Sequence, residues 1–134
     1  MENALAFVNP TFVLLMAAAL CAITALIHSV LGEQRLIGPI LSSNAPIMES
    51  PLARNVTRFA WHWTTLLWLC IGAVLALAAY GDIDAPWLIF AIGTVHFVAG
   101  VADAVMTRGQ HIGWPLITLI GALALLAFYT LQTQ

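Results

Sequence analysis

Four apolar stretches, residues 11–31, 58–79, 86–107 and 112–131, govern what this chain can fold into. A bilayer core takes about 20 apolar residues in helical form. Within lipid the backbone polar groups must pair inside each segment, so segments of this kind are helices. Of the 134 residues, 62% are hydrophobic and 7% are charged. Soluble domains carry about 25% charged residues, and a water-soluble core of this size could not hide so much apolar surface. The chain therefore reads as all-α and as one integral membrane domain over residues 1–134. It is expected to be a four-helix transmembrane bundle, with helices at about 11–31, 51–79, 85–107 and 112–131.

The charges orient it. There is no lysine. Arg35, Arg54 and Arg58 lie in or beside the link between the first two helices, and Arg108 lies in the short link between the last two. An even number of crossings puts those links on one face, while Glu2, Asp82 and Asp84 fall on the other. Short basic loops stay in the cytoplasm, so both termini are expected to be extracytoplasmic. The first helix does not read as a removable signal peptide, because residues 1–10 carry no positive charge and the apolar run is too long. Cys21 and Cys70 fall near mid-membrane without a CxxC spacing and read as small apolar core residues.

Local signals set the boundaries. Asn9-Pro10-Thr11 is a helix start, and Gly32 is the expected stop of the first helix. Residues 38–50 are the only loop of any length, and Ser50-Pro51 reads as a cap followed by proline at the first helical position. Asp84 is the expected cap of the third helix, and Gly113 with Pro115 marks the start of the fourth.

At helical period the scarce polar and small residues form stripes: Ala17, Cys21, Thr24 and His28; Arg54, Arg58, His62 and Thr65; Gly93, His96, Gly100, Asp103 and Thr107; Thr118, Gly121, Ala122 and Leu125. Membrane helices bring such faces together, so the four stripes are expected to line the bundle interior. At about 1.5 Å of rise per residue, His28, His62, His111 and Asp103 share a layer near the cytoplasmic surface. Glu33 can fold back over that layer, and Arg54, Arg58 and Arg108 rim it. His96 lies about two turns deeper and reads as a structural or relay residue.

Neutral imidazole is the commonest ligand for transition metals. His28, His62 and His111, assisted by Asp103 or Glu33, would suit zinc or iron, although no compact motif such as HExxH is present. Guanidinium groups oppose a bare cation and suit an anion. Arg58 and Arg108 would therefore meet haem b propionates, a lipid phosphate or a carboxylate, with Trp61 as a pocket wall. Asp103, an intramembrane acid, needs a partner, and Arg58, Arg108 or a histidine can serve. Trp61, Trp63, Trp68, Trp87 and Trp114 all read first as interfacial anchors, with Trp114 a second candidate beside Trp61 for a pocket wall. Nucleophilic catalysis is not expected, because Ser29 falls on a different face of its helix from His28. No phosphate loop or nucleic-acid signature is present.

The segments His28-Ser29-x-x-Gly32-Glu33, Arg58-Phe59-Ala60-Trp61-His62 and Arg108-Gly109-Gln110-His111-x-x-Trp114-Pro115 resemble a group of small bacterial four-helix membrane proteins. The resemblance implies a bacterial inner-membrane protein and supplies no activity. From the residues alone, the first expectation is a transition-metal or haem protein. The alternatives are a carrier for a small anionic or lipid ligand and an accessory membrane subunit. A chain with so little interior is expected to form a homo-oligomer or join a larger complex.

Overall fold

The computed structural model describes residues 8–133; Glu2, assigned above to the face opposite the arginines, lies outside them. Among the described residues there are helices and no strands. Four helices are long and apolar enough to cross a membrane: α1 (Pro10–Leu41), α2 (Pro51–Ala79), α3 (Pro86–Met106) and α4 (Trp114–Leu131).

The starts of α1 and α2 follow the sequence signals. Asn9 Oδ1 accepts from the Phe12 amide at 3.2 Å, and Ser50 Oγ accepts from the Ala53 amide at 3.4 Å, each ahead of a proline that has no N–H to satisfy. Other boundaries differ. The N-cap of α3 is Ala85 and makes no side-chain cap, because Pro86 fixes the first helical position and leaves Asp84 one residue too early. Gly113 is the N-cap of α4, so Ile112 stays outside that helix.

Gly32 does not stop α1. It keeps a right-handed helical conformation, and the helix continues through a π turn at Glu33–Ile37 into Gly38–Leu41. The Gly38 amide reaches the Glu33 carbonyl, five residues back. Pro39 has no N–H for the carbonyl of Arg35, and the wide turn absorbs that defect where the helix would otherwise break. The expected loop thereby shortens, and it contains a 3-10 turn at Pro46–Glu49.

The helices do not close into a symmetric bundle. α1 packs between α2 and α4, and α3 packs along α4. α2 and α3 flank this central pair and have no comparable contact with each other. The polar stripes consequently do not all meet in one interior. Ala17, Cys21 and Thr24 on α1, Gly93, His96 and Gly100 on α3, and Gly121 on α4 are buried as the period predicts. On α2 the buried positions are Gly72, Leu75 and Ala79, beyond the end of the Arg54–Thr65 stripe.

Burial is also uneven along the axis. One cluster joins Val13, Leu14 and Ala17 of α1 to Leu75 and Ala79 of α2, Ile89 of α3, and Ile120, Ala124 and Phe128 of α4. This core lies at the end where α1 begins and α4 finishes. At the other end, residues 51–71, 101–106 and 114–119 contribute no buried residue. That open end carries the α1–α2 and α3–α4 links and the polar side chains singled out above.

Candidate functional site

Two pairs of residues, each at i and i+4, face one another across the antiparallel α1–α2 contact. Ser29 and Glu33 come from α1; His62 and Arg58 come from α2. The spacing puts each pair on one side of its helix, and the antiparallel run sets Ser29 opposite His62 and Glu33 opposite Arg58. Glu33 Oε1 accepts from Arg58 Nε at 3.1 Å and from Nη2 at 2.8 Å. Glu33 Oε2 stands 3.3 Å from His62 Nε2, and Ser29 Oγ stands 3.1 Å from His62 Nδ1. With its proton on Nε2, His62 donates to the carboxylate and accepts from the serine hydroxyl. Arg58 in turn fixes the carboxylate through two charge-assisted bonds.

Ser29 therefore corrects the sequence reading. It does lie on a different face from His28, but both faces meet α2, because the crossing straddles them. His28 has its own enclosure. Its Nε2 lies 2.8 Å from Thr64 Oγ1 and 3.2 Å from the Trp61 carbonyl. Its ring stacks on Trp61 with centroids 4.0 Å apart and meets Trp68 edge-on at 5.0 Å. Trp61 Nε1 donates back to the His28 carbonyl at 3.1 Å. The indole lies where a β-carbon on Gly32 would be, so Gly32 is required here for close approach. Trp61, expected to wall a ligand pocket, is a platform for His28.

The remaining predicted residues sit on the other hairpin. His111 Nδ1 lies 2.5 Å from Asp103 Oδ2. Arg108 occupies the α3–α4 turn with a positive φ of 53° and, among the described residues, enters no ion pair. His96 Nδ1 donates to the Ile92 carbonyl of its own helix at 2.8 Å, which satisfies a buried imidazole locally. His28 and His62 sit on the α1–α2 crossing and His111 on the α3–α4 hairpin. They do not share a ligand shell. Among the described residues no three His, Cys, Asp or Glu side chains gather as a metal-binding group. Each of these three imidazoles is engaged by a partner of its own.

Beside the Ser29–His62 bond lies a pocket of about 240 Å³, lined by Ser29, Phe59, His62, Trp63, Thr65 and Leu66. Sequence reasoning missed it. The signal that could have found it was the matched i, i+4 spacing of Ser29/Glu33 and Arg58/His62. Thr65 Oγ1 has no hydrogen-bond partner. One turn back, the Trp61 carbonyl that would serve it already accepts from Thr64 at 2.7 Å.

The chain matches no protein family, no curated protein and no solved structure.

Proposed function

We propose that the protein is a multi-pass membrane protein that binds an amphiphile at the α1–α2 face, its head group at the open end. The observation that carries this reading is the make-up of the pocket. Phe59, Trp63 and Leu66 give it apolar walls; Ser29, His62 and Thr65 also border it, and the surface they show it is almost wholly apolar, so the polar groups a ligand meets are those at its rim. Ligand sites are typically apolar with a few placed polar groups. Glu33 engages Nε and Nη2 of Arg58 and leaves Nη1 for a phosphate or carboxylate. The surroundings agree. Leu26, Val95 and Val98 are 60–65% exposed along the outer faces, which is costly in water and costs nothing in lipid. The arginines at the open end favour the cytoplasmic side, with both termini across the membrane.

Native mass spectrometry on gently extracted protein tests the proposal, with absorbance and metal analysis on the same sample. A retained lipid or fatty acid that is lost in Leu66→Trp, which fills the pocket, supports it. A Soret band, or one metal per chain, would transfer the site to a haem or transition-metal centre on His28, His62 and His111 with Asp103 or Glu33. Each of those imidazoles would first have to leave its present partner. Protein free of lipid and metal alike would leave the polar network with a purely structural role in an accessory subunit.

A further inference from the structure

We propose that Ser29, His62 and Glu33 act as nucleophile, base and orienting carboxylate on an acyl ester of the bound amphiphile. This rests on the amphiphile reading and names the chemistry of that same pocket. Three observations converge. Ser29 Oγ is within hydrogen-bond reach of His62 Nδ1, at 3.1 Å. The other imidazole nitrogen is 3.3 Å from Glu33 Oε2, which selects the tautomer with an unprotonated Nδ1 facing the hydroxyl. Glu33 is itself held by Arg58, so the carboxylate is fixed in place and stays ionised as the imidazole gains charge. A nucleophile bonded to a base, with the base oriented by a third group, is the arrangement that activates an otherwise weak serine hydroxyl. A purely structural interhelical bond would need neither the carboxylate behind the imidazole nor a cavity in front of it. Here Ser29 and His62 both border the pocket, chiefly through carbon atoms, so their hydroxyl–imidazole bond must turn toward the cavity for an ester to reach it.

The step balances with water as the only co-reactant. Ser29 Oγ bonds to the ester carbonyl carbon as its proton passes to His62 Nδ1. The C–O bond to the alcohol breaks, and His62 returns the proton to the departing alkoxide oxygen. Water then attacks the Ser29 acyl ester, giving up a proton to His62. The Ser29 Oγ–acyl bond breaks, the carboxylic acid leaves, and the hydroxyl regains its proton. The Ser29 amide lies within α1, so the carbonyl oxygen that becomes negative must find a donor elsewhere. Thr65 borders the same pocket; its unpartnered hydroxyl is sealed from the cavity in this structure and would have to rotate into it to donate. Phe59, Trp63 and Leu66 select a long acyl chain over a short one. The half-exposed Glu33–Arg58 pair places the reacting bond at the edge of the apolar zone, where water can enter.

The test uses the full chain in lipid nanodiscs and a long-chain alkyl fluorophosphonate. That probe forms an Oγ–P bond on an activated serine and expels fluoride. The expected result is an adduct on the peptide containing Ser29, absent in Ser29→Ala and slowed about 100-fold or more in His62→Gln. Hydrolysis of a long-chain p-nitrophenyl ester should fall in the same variants. Glu33→Gln, a positioning change, should lower kcat about tenfold or more with KM little altered, which a structural role would not do. Ser29→Ala removes one hydroxyl and nothing of the packing, so its circular dichroism melt should match the parent and keep the assay interpretable even if His62→Gln unfolds. No adduct at Ser29, or equal labelling in a folded His62→Gln, overturns the proposal. If lipid is still retained in that case, the binding site stands without the chemistry. If lipid is also absent, both readings fall.

Discussion

The two ends of this molecule are held together by different means. Where α1 begins and α4 finishes, the helices touch through small residues and interlocking aliphatic side chains, and Leu14, Leu75 and Ile120 are sealed from solvent. At the opposite end no residue of α2 before Gly72 is buried, and side-chain hydrogen bonds join α1 to α2. Close packing tolerates little change in volume. A hydrogen-bonded contact half in water is worth little to stability but can hold reactive groups in register. The closed end thus makes the fold, and the open end is free to carry a site. This contrast predicts that stability and function respond to different residues.

The largest expected effect is on stability, at Gly121. A β-carbon there would overlap the backbone of Phe97, so α3 and α4 could not keep their spacing. Gly121→Leu should lower unfolding free energy by about 3 kcal/mol or more, since the obstacle is backbone and cannot swing away. Thermal melting in detergent measures it. A near-normal melt would show that the closed end is not the stabilising one and would break the comparison.

Gly32→Val carries the same logic to the open end with a smaller result. The obstacle is now the Trp61 indole, a side chain that can rotate at the cost of its stack on His28. A loss of about 1–2 kcal/mol is expected, together with a shift in tryptophan fluorescence as the ring leaves the imidazole. A loss as large as that at Gly121 would mean that the open end bears the fold as well.

These two sites also show how much the sequence could reveal. Helix number, class and the start signals at Asn9 and Ser50 are local properties, carried by hydrophobic run length and capping chemistry. Burial of Cys21, His96 and Gly121 follows from helical period. Which helices become neighbours is not local. The period could place Arg58 and His62 on one face of α2, but whether that face meets α1 or the Asp103 stripe depends on the packing order. An assumed closed bundle merged two separate clusters into one. The same assumption hid Ser29, whose face is set by where α2 crosses α1 rather than by its angle from His28.

Glu33→Gln sharpens the contrast from the functional side. The amide keeps the shape of the carboxylate and loses its charge, so Arg58 and His62 lose an ionic partner at a half-exposed position. Solvent and salt screen such a pair, and the melting temperature should barely move. Lipid retention should persist, since Phe59, Trp63 and Leu66 are untouched. What should fall is the reactivity of Ser29 toward the fluorophosphonate. A large drop in melting temperature would instead identify the network as a structural latch.

The smallest effect belongs to His111→Ala. His111 and Asp103 lie eight residues apart on one hairpin, and the turn between them is independently shaped by Arg108 and Gly109 at positive φ. The Thr107 hydroxyl donates to the Asp103 carbonyl at 2.7 Å and needs no histidine. The His111 side chain is 52% exposed, so its loss should cost about 1 kcal/mol or less and leave pocket occupancy unchanged. Ser29→Ala and His111→Ala measured side by side for bound lipid and bound metal give the discriminating result. If the His111 variant alone empties the protein of a metal or a chromophore, the imidazoles that now sit with separate partners must come together around that ligand. The open end would then be a single centre spanning both hairpins, because Asp103 on α3 can join His28 and His62 only if α3 closes toward α2.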